Sequence, residues 1–192
     1  MSKEGIPVCR HYKWDEFSYY EFMQSKILER FTPVDINFLI DRLIEYPDIY
    51  FDLDIYEDKS EIIEYLISST HWNVVSEEKK KILLKHFIIE CYGINGYKEI
   101  VSVYPDFKYY LLSLSTLENN EETHKNYIKF MKEHSLRYVI MSYTWLSDAI
   151  VQMYKDNNIY IYCFVVNTEE GLNLCKKYGV IGIQTDYLFM NN

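Results

Sequence analysis

The chain has 192 residues, 48% of them hydrophobic and 26% charged, a composition typical of one globular domain with a sizeable core. Its formal net charge of −9 argues against nucleic acid or an anionic membrane as a partner, because binding to phosphates requires clustered lysine and arginine. No secretory signal and no apolar stretch of the ~20 residues that span a bilayer is found, so a cytoplasmic location without a membrane span is predicted.

Strand and helix signals alternate along the chain. In order, we predict a helix at 33–45, a strand at 50–55, helices at 59–68 and 76–85, a strand at 87–92, a helix near 97–104, a strand at 109–115, a helix at 121–133, a strand at 136–143, a helix at 145–156, a strand at 159–168, a helix at 169–179 and a strand at 180–186. This alternation is typical of α/β folds with a parallel sheet. A doubly wound sheet and a β/α barrel both fit it.

The clearest signals lie at the end of the chain. The apolar run that begins at Ile159 is rich in Ile, Val and Tyr, which favour strands. Thr168 is the expected N-cap of the following helix, Glu169 and Glu170 lie in its first turn, and Gly179 is the expected C-cap. A strand, a helix and a second strand with short joins form a βαβ unit, whose strands are parallel.

Two motifs flank this last helix, at residues 164–167 (Phe-Val-Val-Asn) and 179–186 (Gly-Val-Ile-Gly-Ile-Gln-Thr-Asp). They resemble the end of the glycerophosphodiester phosphodiesterases, which are β/α-barrel phosphodiester hydrolases. That family closes with a strand ending in Trp-Thr-Val-Asn, a helix, and then Gly-Val-Asp-Gly-Ile-x-Thr-Asp. The Trp and the inner Asp are replaced here, whereas Asn167, both glycines, Thr185 and Asp186 are kept.

The front of the chain is similar to the same family. Residues 2–11 (Ser-Lys-Glu-Gly-Ile-Pro-Val-Cys-Arg-His) resemble its Thr-x-Asp-Gly-x-Pro-Val-x-x-His hairpin. The resemblance implies that His11 is a catalytic histidine, with Tyr12 in place of the family's Asp. Residues 50–56 resemble the strand that ends in Glu-Ile-Lys, which places Asp54 at the metal-binding Glu.

The family's barrel begins with two motifs, His-Arg-Gly and Glu-x-Asp, that do not occur in the 192 residues. In the family they supply one catalytic histidine and two metal-binding carboxylates. The resemblance therefore implies an incomplete (β/α)8 barrel, with about six parallel strands alternating with helices plus a short N-terminal hairpin strand. It also implies a single domain over residues 1–192 that lacks the first two βα units and is catalytically incomplete as an isolated chain.

Hydrolysis of a phosphodiester requires charge neutralisation at the phosphoryl oxygens and proton transfer to the leaving alkoxide. The resemblance implies that any cofactor is a divalent metal, Mg²⁺ or Ca²⁺, held by carboxylate oxygens. Asp54 is one expected ligand, and Glu90, near the end of the next strand, is another. One of Asp52 and Asp54 is expected to face inward. Glu90 lies in an apolar run, where a carboxylate is costly unless it is paired.

Three hypotheses for the function remain open. The first is a phosphodiesterase-type hydrolase of a small phosphodiester ligand, active when a second polypeptide or a longer parent chain supplies the missing groups. The second is a non-catalytic binding or assembly module derived from the barrel. The third is an unrelated doubly wound domain that binds a phosphorylated ligand, which the lack of a Gly-rich phosphate loop weakens. Because an incomplete barrel leaves open sheet edges, a homo-oligomer or a partner chain covering them is expected.

The remaining candidate residues are interpreted as structural. The cysteines show no metal-type spacing and are expected to be reduced, at positions 9, 91, 163 and 175. Thr185 and Asp186 are expected to cap the turn after the last strand. The histidines other than His11 show no ligand spacing and are expected at the surface or at helix ends, at positions 71, 86, 124 and 134.

Overall fold

The computed structural model of the chain describes residues 1–9, 17–26, 29 and 31–186. The chain divides into two compact units. The first comprises residues 1–88 and 99–108, and the second comprises residues 89–98 and 109–192. Within the described ranges, no helix is both long enough and apolar enough to cross a membrane.

Eight strands and eight α-helices are found in the described part of the chain. The strands are β1 (Val8–Cys9), β2 (Val34–Asp35), β3 (Phe51–Asp54), β4 (Phe87–Tyr92), β5 (Tyr109–Ser113), β6 (Tyr138–Ser142), β7 (Tyr160–Phe164) and β8 (Gly182–Ile183). The helices are α1 (Tyr19–Gln24), α2 (Ile36–Glu45), α3 (Lys59–Ser68), α4 (Glu77–Leu84), α5 (Gly93–Val103), α6 (Glu121–Glu133), α7 (Asp148–Lys155) and α8 (Glu169–Tyr178). Short 3-10 helices occur at Thr70–Val74 and Tyr143–Trp145.

Six of the strands form one parallel sheet, whose order β3-β4-β5-β6-β7-β8 follows the chain without a reversal. Doubly wound sheets contain a reversal of strand order, whereas the strands of a β/α barrel follow one another in sequence. The predicted six-stranded, incomplete (β/α)8 arrangement is therefore confirmed, and the doubly wound alternative does not fit. Strand β4 is shared, because its first two residues belong to the first unit and the rest to the second.

The first unit contains the predicted N-terminal hairpin strand. β1 pairs antiparallel with β2, with Val8 opposite Asp35. Asp35 is the N-cap of α2, and its Oδ1 accepts a hydrogen bond from the Phe38 amide at 2.8 Å. Its Oδ2 accepts from the Tyr19 hydroxyl at 2.7 Å. The buried Asp35 side chain thus ties α1, the hairpin and α2 together.

The sheet of the second unit has one face covered by helices. On this outer face the Cys163 side chain of β7 contacts Cys175 of α8, and Tyr110 of β5 lies edge-on to Tyr97 of α5, with ring centroids 5.1 Å apart. Side chains alternate along a strand, so their neighbours point to the opposite, inner face. The parallel register aligns one inner-face residue from each strand, namely Ser113, Ile140, Tyr162 and Gly182.

The end of the chain matches the sequence expectations closely. The Thr168 side chain caps α8 by accepting a hydrogen bond from the Gly171 amide at 3.1 Å. Gly179 follows α8 with φ +71°, a left-handed conformation that glycine adopts without steric cost. The last strand is shorter than predicted, since only Gly182 and Ile183 pair with β7.

Two elements differ more from the expectations. Helix α5 begins at Gly93, directly after β4 and four residues earlier than predicted, because Gly93 makes the turn from strand to helix with φ +70°. Helix α1 was not predicted, although Ser18 and Glu21 form a capping box. Such a box is a readable helix-start signal.

His124, expected at the surface or at a helix end, is buried in the second unit with 1% of its surface exposed. Its Nδ1 lies 2.9 Å from the Tyr154 hydroxyl and its Nε2 lies 2.9 Å from Asn119 Oδ1. A neutral imidazole satisfies both contacts when Nε2–H donates to the asparagine and Nδ1 accepts from the tyrosine. Burial lowers the pKa of His124, because the charged form is poorly solvated there.

This burial predicts a pH-dependent stability. His124 is protonated less readily in the folded state than in the unfolded state, where its pKa is about 6.5. Its contribution to the free energy of unfolding is therefore fully present above about pH 6.5 and is lost as the pH falls towards the folded-state pKa. We expect the free energy of unfolding of the parent chain, measured with urea between pH 5 and 8, to fall as the pH is lowered. The fall should be smaller in H124L. H134Q, which changes an exposed histidine at the opposite end of the same helix, should keep the full dependence, and an unchanged profile in H124L would contradict the assignment.

Candidate functional site

The carboxyl ends of the second unit's strands meet at one edge of its sheet. Parallel α/β proteins bind their ligands at this edge. Each strand brings a polar side chain to it, and we call these five residues the carboxyl-edge site: Glu90 of β4, Ser113 of β5, Ser142 of β6, Asn167 after β7 and Gln184 after β8.

Glu90 is the only charged member of the carboxyl-edge site. Only 2% of its surface is exposed, and Gln184 Nε2 donates a hydrogen bond to its Oε2 at 2.8 Å. A buried carboxylate is costly unless it is hydrogen-bonded, and the amide offsets part of this cost. Glu90 is thus paired, as its apolar surroundings required, and its partner lies 94 residues away in the sequence.

The Glu90–Gln184 hydrogen bond shows that the sheet of the second unit is curved. Strands β4 and β8 are separated by three other strands. In a flat sheet with strands ~4.8 Å apart, they would lie ~19 Å from each other, farther than two extended side chains can reach. The hydrogen bond forms because this part of the sheet curls, with Glu90 and Gln184 on the concave inner face.

Asn167 joins the segments that follow β7 and β8. Its Oδ1 accepts hydrogen bonds from the Asp186 amide at 2.9 Å and from the Thr185 hydroxyl at 3.2 Å. Its Nδ2 donates to Asp186 Oδ2 at 2.9 Å. The motif residues Asn167, Thr185 and Asp186 therefore hold each other in place. We call their three hydrogen bonds the Asn167 latch, and they set the position of the neighbouring Gln184.

Below the site, the inner face is lined by aromatic rings. The Tyr138 and Tyr160 rings stack with centroids 5.8 Å apart, and Tyr162 lies edge-on to Tyr138 at 6.2 Å. The Tyr162 ring also lies over Gly182, where a Cβ atom would overlap it. This close approach explains the glycine in the last strand and leaves Glu90 and Gln184 above a packed aromatic layer.

The chemistry open to the carboxyl-edge site follows from its groups. A buried carboxylate oriented by an amide can accept a proton, bind a ligand hydroxyl or contribute an oxygen ligand to a cation. The hydroxyl of Ser142 is a neutral donor suited to phosphate oxygens, whereas Ser113 is fully buried. Both hydroxyls also bind locally, since Ser113 donates to Ser115 at 3.1 Å and Ser142 lies 2.8 Å from the Thr144 hydroxyl.

Asp54 belongs to the first unit and Glu90 to the second. Asp54 is the last residue of β3, and both it and Asp52 are exposed, with side chains on the face opposite Phe51. The expectation that only one of the two aspartates would face inward is wrong, because residues two positions apart on a strand share a face.

His11, the predicted catalytic histidine, lies outside the described residues. Within the described ranges, no three His, Cys, Asp or Glu side chains come together in a group that could hold a metal ion. The described residues therefore do not fit the complete metal centre that the family resemblance implies. Glu90 accepts a hydrogen bond from a neutral amide, that of Gln184.

The hydrogen bond from Gln184 to Glu90 makes a measurable contribution to stability. Q184L removes the amide donor from a buried carboxylate, and hydrogen bonds to charged groups contribute about 1.5–3 kcal/mol. We expect the free energy of unfolding, measured with urea, to fall by about 2 kcal/mol.

The matched control is Q152L. Gln152 Nε2 donates to Asp156 Oδ1 at 2.7 Å, but on the exposed surface of α7, where we expect a loss of less than about 0.5 kcal/mol. Equal losses in the two variants would contradict a special role for the buried pair.

Gln184 and the Asn167 latch were missed as site residues from the sequence alone. Gln184 directly precedes Thr185 and Asp186 in the last motif, which placed it at the carboxyl end of a strand. Nothing local indicated that it faces Glu90, because that contact depends on the curl of the sheet.

A family model for the glycerophosphoryl diester phosphodiesterase family matches residues 15–189 of the chain. The match covers both the Glu90 strand and the closing motifs, and it begins after His11. No curated protein matches the chain significantly.

Solved structures of the same class have similar folds. A phosphodiesterase from Oleispira antarctica, determined with the product sn-glycerol-3-phosphate, has a TM-score of 0.67 and 13% identity, over 97% of this chain and 78% of that one. A candidate glycerophosphodiester phosphodiesterase from Galdieria sulphuraria has a TM-score of 0.67 and 13% identity, over 97% and 74% of the two chains. A candidate glycerophosphoryl diester phosphodiesterase from Silicibacter pomeroyi has a TM-score of 0.62 and 14% identity, over 81% of this chain and 54% of that one. The chain thus spans about half to three quarters of these structures, and at such identities the likeness shows the fold.

Proposed function

The chain belongs to the glycerophosphoryl diester phosphodiesterase family, and from this premise we propose that it acts in the hydrolysis of small glycerophosphodiesters. The observation that carries the proposal is the family match over residues 15–189. The buried Glu90 at a strand end, oriented by Gln184 at 2.8 Å, supports it, since it places a charged group where parallel α/β proteins bind ligands. We further propose that residues 1–192 act as one domain carrying part of the catalytic set, because the His-Arg-Gly and Glu-x-Asp motifs are absent from them.

The proposed roles follow the chemistry of phosphodiester cleavage. His11 transfers a proton to or from the reacting oxygens, a task suited to an imidazole near neutral pH. Asp54 and Glu90 are proposed as oxygen ligands for a divalent ion such as Mg²⁺ or Ca²⁺. We assign no catalytic step to the ion, since the described residues lack a complete set of ligands.

The proposed substrate is a glycerol phosphate esterified to a small alcohol. The relative from Oleispira antarctica was determined with sn-glycerol-3-phosphate as its product, and the neutral hydroxyl of Ser142 suits a ligand of this kind. Such compounds are deacylated phospholipids, so we place the protein in lipid metabolism and in the cytoplasm. Recovery of the native protein in a membrane or secreted fraction would contradict this location.

Turnover of glycerophosphocholine and of bis-p-nitrophenyl phosphate tests the proposal, with Mg²⁺, Ca²⁺, Mn²⁺ or no added ion. We expect release of sn-glycerol-3-phosphate from glycerophosphocholine, or of p-nitrophenol from bis-p-nitrophenyl phosphate, above the buffer rate in at least one condition. Absence of turnover with every ion would overturn hydrolysis by this chain. If calorimetry showed that sn-glycerol-3-phosphate still binds, the chain would instead be a non-catalytic binding module.

We also propose that a second copy or a partner chain covers the ends of the sheet. Strands β3 and β8 end the strand order, and neither pairs on its other side within the described residues. Unpaired strand edges favour association, and β8 has only two paired residues. Light scattering after size exclusion should give a mass of at least twice 23.2 kDa, whereas a monomer at high concentration would contradict self-association.

A further inference from the structure

A groove between α6 and α7 lies on the helix side of the second unit, apart from the inner face that carries Glu90. It has a volume of about 410 Å³. The buried side chain of Ile128 and the half-buried side chain of Met153 form its apolar floor. This volume falls within the range of small-molecule sites, roughly 300–1,000 Å³.

Lysines form the rim of this α6–α7 groove. Lys125, Lys129 and Lys132 line it together with a single carboxylate, Glu133, and all four side chains are exposed. Lys125 forms an ion pair with Glu121. Lys129 and Lys132 form no ion pair within the part of the chain that the structure describes, so the groove carries a net positive charge in a protein whose total charge is −9.

The spacing of these lysines is unfavourable for the helix itself. Residues three and four positions apart are neighbours on a helix surface, and like charges there repel. Lys129 lies four residues from Lys125 and three from Lys132, so the three lysines repel one another along one face of α6. Glu121 and Glu133, four residues from Lys125 and Lys129, offset part of this repulsion. A bound anion would relieve the part that remains.

From the cationic rim, the apolar floor and the small volume together, we propose that the α6–α7 groove binds a small anionic amphiphile. The ligand carries a phosphate or carboxylate head, which contacts Lys129 and Lys132. A short alkyl or acyl chain lies against Ile128 and Met153, and methionine suits variable apolar ligands because its side chain adapts its shape. The site does not depend on the proposed hydrolysis, because it lies on the opposite face of the sheet from Glu90.

Titration with hexyl phosphate, followed by amide chemical shifts, tests the proposal on the whole chain. Inorganic phosphate and hexanol serve as probes of the head and the chain alone. We expect hexyl phosphate to shift amides of α6 and α7 and to bind at least about tenfold more tightly than either probe, because charge and apolar contacts act together. A carboxylate head is tested in the same way with heptanoate.

The matched variants separate the site from general attraction to lysine. K129E/K132E should weaken hexyl phosphate binding by about tenfold or more, whereas K176E/K177E, at the end of α8, should leave it unchanged. M153Q should weaken the binding of hexyl phosphate and leave the binding of inorganic phosphate unchanged. Circular dichroism checks that each variant folds.

Three results would overturn the proposal. They are no shifts in α6 and α7 with hexyl phosphate, equal binding of inorganic phosphate and hexyl phosphate, and equal weakening by the two lysine pairs. The second would indicate a simple anion site, and the third nonspecific attraction between charges. None of these results bears on turnover of glycerophosphodiesters, so the two proposals fail independently.

Discussion

H11A is expected to lower kcat/KM for a glycerophosphodiester by about 10²–10⁴-fold, the loss typical when a general acid or base is removed. The resemblance of residues 2–11 to the family hairpin motivates this expectation. The alkoxide that leaves a phosphodiester is a poor leaving group unless it is protonated as the bond breaks. An imidazole supplies that proton near neutral pH.

A pH–rate profile distinguishes this role from a structural one. The limb of the profile that reports the titration of His11 should disappear in H11A, while the thermal midpoint of unfolding should change little. H134Q is the control, because His134 is exposed at the end of α6 and should retain the parent rate and profile. A rate in H11A within a few-fold of the parent, under conditions in which the parent turns over, would show that His11 is not the proton-transfer residue.

D35A is expected to lower the free energy of unfolding by about 2–4 kcal/mol. The Asp35 side chain caps α2, and loss of an N-cap costs about 1 kcal/mol. It also accepts the Tyr19 hydroxyl at 2.7 Å, and a polar group left without its partner costs a further 1–3 kcal/mol or so. Urea unfolding followed by circular dichroism measures the sum.

Two comparisons separate these contributions. S76A removes a cap of the same kind, since the Ser76 side chain accepts from the Lys79 amide at 3.2 Å. Its second contact, with Glu78, lies on the exposed surface and contributes little, so S76A should cost about 1 kcal/mol. The hydrogen bond to Asp35 raises the pKa of Tyr19 to about 12, so spectrophotometric titration of D35A should show a pKa closer to the ordinary value of about 10. A loss in D35A no greater than that in S76A would mean that the Tyr19 bond contributes nothing.

Much of the fold could be predicted because its signals are local. The caps of α8, Thr168 and Gly179, depend on residues within one or two turns of each other. The apolar runs of β4, β5 and β6 differ from the neighbouring amphipathic helices in length and in period. The closing motifs then separated a barrel from a doubly wound sheet by resemblance, and the unreversed strand order agrees with it.

The candidate site could be predicted only in part. Glu90 was proposed as a site residue because a carboxylate in an apolar strand needs a partner, but the sequence did not indicate which residue that partner is. Asp52 and Asp54 were misread because the period of two along a strand was overlooked. His124 was expected at the surface or at a helix end because it shows no ligand spacing. It lies near the start of α6, but it is buried and faces Tyr154 in the next helix.

The amino-acid order alone determined the type and order of most strands and helices, the residues that cap α8, and the family to which the closing motifs belong. Each of these features depends on residues that are close along the chain. Only the tertiary structure decided that Gln184 meets Glu90, that Asn167 is locked between Thr185 and Asp186, and that lysines of α6 line a groove against α7. Those contacts join distant segments, and they form because the curl of the sheet and the packing of its helices bring the segments together.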